Sequence, residues 1–148
     1  MQTGSGRFNR GLLIIALVLI ALIIFSKVAY GEETREYTDD EVYMLSHLIC
    51  GESEGCGWDM KISVGSVVLN RMADERFPDT MAEVIFQEGQ YSCTWDGNYY
   101  REPSEETVEA AIYLLEKGPA IDESVVWQAE FPQGRGVYDT IGNQYFCY

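Results

Sequence analysis

Cations are scarce in this chain. Ten Lys and Arg stand against 24 Asp and Glu, a formal net charge of −14 at neutral pH. The few basic residues form no cluster, which excludes nucleic acid as a partner, because neutralised phosphates supply most of that affinity. A single histidine, His47, is too few for a histidine-rich metal centre or an HExxH metalloprotease. No metal ion and no organic cofactor is expected. Apolar residues, by contrast, are plentiful: 47% of the chain is hydrophobic and 13% aromatic, too much for a disordered acidic tail.

Residues 11–25, GLLIIALVLIALIIF, hold no charge, with Arg7 and Arg10 before them and Lys27, Glu32 and Glu33 after. Adding Ser26, Val28, Ala29 and Tyr30 brings the stretch to the roughly 20 residues that span a bilayer, with Lys27 snorkelling to the interface. Ala29-Tyr30-Gly31 also offers a small-residue cleavage site. The expectation is a short cytoplasmic tail (1–10), a membrane anchor or cleaved signal peptide (11–30) and a juxtamembrane linker (31–37). The domain at 38–148 then lies outside the cytoplasm, because the positive residues stay inside. It is either held at the cell membrane by a single-pass helix or secreted after cleavage.

Arg7, Arg10 and Lys27 take three of the ten basic residues, so seven face all 24 acids beyond residue 31, a net of −17. The cysteines, Cys50, Cys56, Cys93 and Cys147, also all fall there. An even number in an exported domain reads as two disulfides, and of three connectivities Cys56–Cys93 with Cys50–Cys147 is favoured. The rival reading is a thiol enzyme using Cys50 or Cys147, with His47 as base.

Thr38 and Glu41 form a capping-box pattern, and Val42, Leu45 and Ile49 then recur at helical spacing, predicting a helix over 39–50. Gly51, Gly55 and Gly57 suggest a tight loop. A second helix over 59–71 has an apolar middle, marking the centre of the core. Thr80 and Glu83 cap a short third helix through Ile85, and Ser104 caps a fourth that Gly118 stops. Residues 87–103 read as an irregular surface segment. Val125-Val126-Trp127 and Tyr145-Phe146-Cys147 read as strands around a glycine-rich connection at Gly134 and Gly136. The fold class is therefore α+β, mostly helical, with a small antiparallel sheet at the C-terminal end.

Glu52 stands just after an apolar helix, between Gly51 and Ser53. A carboxyl sheltered there can hold its proton and act as a general acid. Glu54 has the same claim on paper, so local pattern does not choose between them. Tyr91, Trp95, Tyr99 and Tyr100 mix with Gln87, Gln90, Asp96 and Asn98, a composition suited to carbohydrate, since aromatic faces stack on sugar rings while amides and carboxylates hold hydroxyls. Asn70 and Arg71 read as structural partners of the second helix.

The runs ICGESEG (49–55), VGSVVLNRM (64–72) and RFPDTMAEVIFQEGQYS (76–92), with Pro103 and IGNQYF (141–146), resemble the SleB-type cell wall hydrolase family of spore cortex-lytic enzymes, in order and spacing over residues 42–148. The resemblance implies a lysozyme-like fold and cleavage of peptidoglycan glycan strands, typically as a lytic transglycosylase, with the catalytic glutamate at Glu52. Glu54 and Cys56 depart from it, standing where the family commonly shows an arginine and an acidic residue. On this reading Glu52 serves as both acid and base between N-acetylmuramic acid and N-acetylglucosamine, forming a 1,6-anhydro end. Gln90, Tyr91, Ser92, Trp95, Asp96 and Asn143 bind sugar, and Asp96 is the one candidate in the aromatic loop for a second carboxylate. At −17 the domain gains nothing from long-range attraction to an anionic wall, so recognition rests on stacking and hydrogen bonds. The competing class is a membrane-tethered peptidoglycan-binding module without turnover.

Overall fold

A computed structural model describes residues 36–148. They belong to the second of two compact units into which the chain divides, Met1–Thr34 and Arg35–Tyr148. The expected membrane segment at 11–30 lies outside the described residues. Among the described residues no helix is long and apolar enough to cross a membrane.

Helix α1 (Asp39–Ser53) opens with the reciprocal cap its sequence predicts. The Thr38 hydroxyl accepts from the Glu41 N–H at 3.2 Å, and the Glu41 carboxylate accepts from the Thr38 N–H at 2.9 Å. The acidic first turn, Asp39 to Glu41, suits the positive end of the helix dipole. The helix does not stop at Cys50. It continues through Gly51 and Glu52, closed by the Ser53 hydroxyl donating back to Ile49 O at 2.7 Å. Gly51 is thus a packing residue rather than a turn residue: a Cβ there would stand 2.6 Å from the Cβ of Cys93.

Helix α2 (Trp58–Ala73) is buried without a break from Met60 to Arg71 and forms the centre of the core. Its own close-packing residue is Gly65, where an added Cβ would meet the Ile49 side chain at 2.9 Å and collide with that of Leu114. So α1 and the later helix α5 (Glu105–Lys117, capped by Ser104 and closed by Gly118) both approach α2 at one level. Between them come α3 (Met81–Ile85, capped by Thr80), α4 (Cys93–Asp96) and a 3-10 turn at Asn98–Tyr100. The segment expected to be irregular therefore contains short helical pieces, and Tyr91, Cys93 and Tyr99 within it are buried.

The sheet has three antiparallel strands in the order β1-β3-β2. Strand β1 (Trp127–Ala129) starts two residues later than expected, because Val125 and Val126 go fully into the core. Strand β2 (Val137–Ile141) was not foreseen; it is exposed along nearly its whole length and shows no inward alternation. Strand β3 (Gln144–Cys147) pairs Trp127 with Cys147 on one side and Ile141 with Gln144 on the other. Helix α2 holds this end of the chain directly: Asn70 Nδ2 donates to Asp122 O at 2.8 Å and Val125 O at 3.0 Å, and Arg71 Nε donates to Val126 O at 2.7 Å.

The disulfide expectation is corrected. All four cysteines are free. Cys50 Sγ is turned to Glu102 O at 3.8 Å, and Cys147 Sγ accepts from the Gln133 N–H at 3.5 Å, on separate parts of the domain. Cys93 is closed in beneath Gly51, while Cys56 is exposed on the α1–α2 loop, so that pair is unformed as well.

Gly51→Ala is expected to cost about 1–3 kcal/mol, since the clash falls on a Cβ rather than the end of a flexible side chain. Thermal melts should show Tm falling by several degrees for Gly51→Ala and much less for Gly57→Ala, whose added Cβ would meet nothing within 4 Å.

Candidate active site

The last turn of α1 presents Glu52, half-buried, with its Oε1 enclosed and without a hydrogen-bond partner. Around it the chain gathers groups from three distant segments. Tyr91 is buried and its hydroxyl is likewise unpartnered. Burial pushes that phenol up to about 12, with Arg71 pulling it down and the neighbouring Glu52 carboxylate pushing it further up. Cys93 is raised by burial first and by Glu52 second. Glu52 therefore lies beside Cys93 and within the electrostatic reach of Tyr91.

Arg71 completes the group. Its guanidinium lies 5.2 Å from the ring centres of Phe77 and Tyr91 and 5.7 Å from that of Trp127. The residue is 3% exposed, and its Nη1 has no partner. Desolvating a cation is costly, and here three aromatic faces and the Val126 carbonyl offset that cost. Arg71 thus packs as the structural partner expected, yet it also reaches Tyr91 and through it the Glu52 carboxyl. A cation in the last turn of a helix with an apolar middle was the available signal.

Glu54 is a different kind of acid. Burial works against its charge, but hydrogen bonds from Cys50, Thr107 and Ser104 and the charge of Lys61 outweigh this and hold it below the ordinary range. The Thr107 hydroxyl donates to it at 3.3 Å at the start of α5. Lys61, itself buried, pairs with Glu106 at 2.8 Å and donates to Cys56 O. Glu54 is spoken for by the packing of α1 on α5, whereas Glu52 keeps an uncommitted oxygen. The structure separates two acids that the sequence left level.

The remaining candidates scatter. Tyr91 offers no free face for a sugar, because it is buried. Trp95 is 63% exposed and can stack, Gln90 is half-buried and Ser92 exposed. Asp96 spends both oxygens on Asn98, accepting from its N–H at 2.8 Å and its side-chain amide at 2.9 Å. Asn143 sits at the β2–β3 turn and donates to Glu130 at 3.0 Å, not toward the Glu52 group. The thiol reading gains no support: no contact among the described residues joins His47 to Cys50 or Cys147, His47 Nδ1 donates to Tyr99 O at 2.8 Å, and burial with help from Glu54 pushes Cys50 up to about 11.

The Cell Wall Hydrolase family profile matches residues 57–147, well over half of the sequence. The chain belongs to that family. Over 117 residues it is 24% identical to the spore cortex-lytic enzyme of Bacillus subtilis, a match covering 75% of this chain and 38% of that enzyme. Over 76 residues it is 29% identical to the spore cortex-lytic enzyme of Oceanobacillus iheyensis, covering 51% and 28%. The chain thus spans well under half the length of these curated relatives. Its fold is that of the catalytic domain of the Bacillus cereus SleB protein, with a TM-score of 0.67 at 21% identity over 80% of this chain and 99% of that domain. The catalytic domain of the germination-specific lytic transglycosylase SleB from Bacillus anthracis gives 0.66 at 22%, over 77% and 98%.

In the native protein a thiol reagent at pH 8 should label one cysteine rapidly, Cys56, and reach the other three only after unfolding. Rapid labelling of Cys50 or Cys93 would contradict the burial and raised pKa of those thiols.

Proposed function

We propose that this hydrolase domain cleaves peptidoglycan glycan strands between N-acetylmuramic acid and N-acetylglucosamine, as a lytic transglycosylase with Glu52 as the single acid and base. The observation that carries the reading is the enclosed, unpartnered Oε1 of Glu52 in a fold shared with a lytic transglycosylase domain. The family match begins five residues beyond Glu52, so the role of this carboxyl rests on that geometry and on the resemblance of residues 49–55.

Glu52 gives its proton to the glycosidic oxygen as the bond from the muramyl anomeric carbon breaks, releasing the N-acetylglucosamine hydroxyl. The muramyl 6-hydroxyl then attacks the anomeric carbon and returns its proton to the Glu52 carboxylate. A 1,6-anhydro ring forms, no water is consumed and the enzyme is regenerated. A hydrolase would need a second carboxylate about 5 Å or about 6.5–9.5 Å away. Asp96, the nominee, has both oxygens engaged by Asn98, which favours the single-carboxyl route. Tyr91 is a positioning residue: its buried, unpartnered hydroxyl, with the Arg71 guanidinium beside it, is available to donate to the enclosed oxygen of Glu52 as that carboxyl gives up its proton, which leaves the other oxygen for the glycan. The apolar stretch at 11–30 holds the domain beside its substrate outside the cytoplasm.

Digestion of purified peptidoglycan followed by mass spectrometry tests the chemistry. Anhydro-muramyl ends, lighter by one water than reducing ends, are expected, and reducing ends alone would make the enzyme a hydrolase. Glu52→Gln should lower the rate by about 10²–10⁴-fold, the usual weight of a positioned acid or base; an active variant would remove Glu52 from the role. Tyr91→Phe should keep Tm and KM while lowering kcat about tenfold, the weight of one donor to a reacting carboxyl.

A further inference from the structure

Helix α2 begins with Trp58, which is 38% exposed although it opens the most buried helix of the domain. Its indole meets the ring of Tyr113 from α5 edge to face, with centroids 5.9 Å apart. Across from these two rings runs β2, and the space between is a groove of about 610 Å³ that Trp58, Asp59, Tyr113, Tyr138, Asp139 and Thr140 help to line. It continues around Trp58 into a further depression of about 340 Å³. A site of that volume is in the range that holds small ligands, roughly 300–1,000 Å³, and two adjoining depressions that share Trp58, Asp59, Ile141 and Gly142 offer room for more than one sugar ring.

The strand is shaped for this groove rather than for the sheet. Val137 pairs with Cys147 and Asp139 with Phe146, so Tyr138 is an extra residue, a bulge on the edge strand. Bulges at sheet edges re-aim side chains, and here five successive residues, 138–142, line one groove where a regular strand would turn alternate residues away. Tyr113 and Tyr138 keep 42% and 41% of their surface in solvent, an exposure that the packing of the fold does not call for.

The lining selects the chemistry of the ligand. None of the described residues that line the groove or its extension is basic, and Asp59 and Asp139 make it acidic, so phosphate polymers and other anions are repelled. Asp139 uses one oxygen to accept from the Thr140 N–H at 2.7 Å, and its other oxygen and the Asp59 carboxylate remain free to accept from hydroxyl or amide donors. Aromatic faces beside neutral-donor acceptors fit a polyhydroxylated, uncharged chain.

We propose that this groove is a second glycan-binding site, taking a run of N-acetylated sugars separately from the cleavage site at Glu52. The sheet keeps the two apart: β1 brings Trp127 to the Arg71 and Tyr91 group, whereas β2, at the opposite edge, carries the groove. No residue named around Glu52 lines it. The ligand class rests on the proposed function, since a strand cut at Glu52 supplies a backbone of neutral N-acetylated sugar rings whose charged groups lie on the side stems, and a second grip would keep the enzyme on an insoluble polymer between cuts.

The chain has three tryptophans, so three indole N–H signals in an NMR spectrum report on both places. Trp58 reports on the groove, and Trp95 and Trp127 on the surroundings of Glu52. Titrating the full-length Glu52→Gln chain, which leaves the probe intact, with a β-1,4-linked N-acetylglucosamine tetramer should shift the Trp58 signal along its own saturating curve. Tyr138→Ala, a change on an exposed edge strand, should weaken that curve about tenfold, the loss of one stacking face, and leave the rate of the active enzyme on short soluble glycan unchanged. A Trp58 signal that stays still while the other two move, or a curve that Tyr138→Ala leaves intact, would overturn the proposal. If the active chain leaves wall material uncut while Trp58 still titrates, the cleavage reading fails and the groove stands.

Discussion

Arg71 is a buried cation with no ion pair among the described residues, and the arrangement of the domain follows from how it is accommodated. Its Nε reaches the Val126 carbonyl, and its plane is wrapped by Phe77 after α2, Tyr91 before α4 and Trp127 on β1. One side chain thereby ties the core helix to the loop on one side, to the segment that covers Glu52 on another and to the sheet on a third. Removing the guanidinium would leave a carbonyl unpaired and a hole among three rings, costs that fall on three elements at once. The unpartnered Nη1 and the unpartnered Tyr91 and Glu52 oxygens complete a polar path inside this otherwise apolar packing.

The pair of close-packed glycines sets where that path opens. Gly65 lets α1 and α5 meet α2 at one level, and Gly51 lets α4 lie against the final turn of α1. With a side chain at position 51 the α4 segment would be displaced, and Cys93 and Tyr91 with it. Glu52 keeps its sheltered oxygen because its neighbour in sequence has no side chain. Glu54, two residues on, points its chemistry into the cap of α5 instead.

Features written within a few residues of one another were legible in the sequence. Thr38 with Glu41, Thr80, Ser104 and Gly118 mark helix ends through local hydrogen bonds, and they lie where those helices begin or stop. The apolar middle of α2 announced the core by composition alone. What escaped depends on contacts between distant segments. Gly51 reads as a helix stop until Cys93, 42 positions later, is seen against it. Tyr91 reads as a surface aromatic until Arg71 is seen above it. Strand β2 has no inward face to betray it, being held by its partner on one side only. Cysteine parity suggested cross-links, but parity carries no geometry, and each sulfur that is buried already has other company.

The exposed rim of the sheet has a bearing on how the protein behaves when crowded at a surface. An unpaired outer strand invites the same strand of a neighbouring copy to add on, and chains of such additions become fibres. Here the extra residue at Tyr138 breaks the regular spacing of outward amides, and Asp139 both caps the Thr140 N–H and sets a negative charge on the rim. Two such rims brought together would be mismatched in register and would repel. The kink that opens the β2 face therefore also lets many copies share a small area without polymerising.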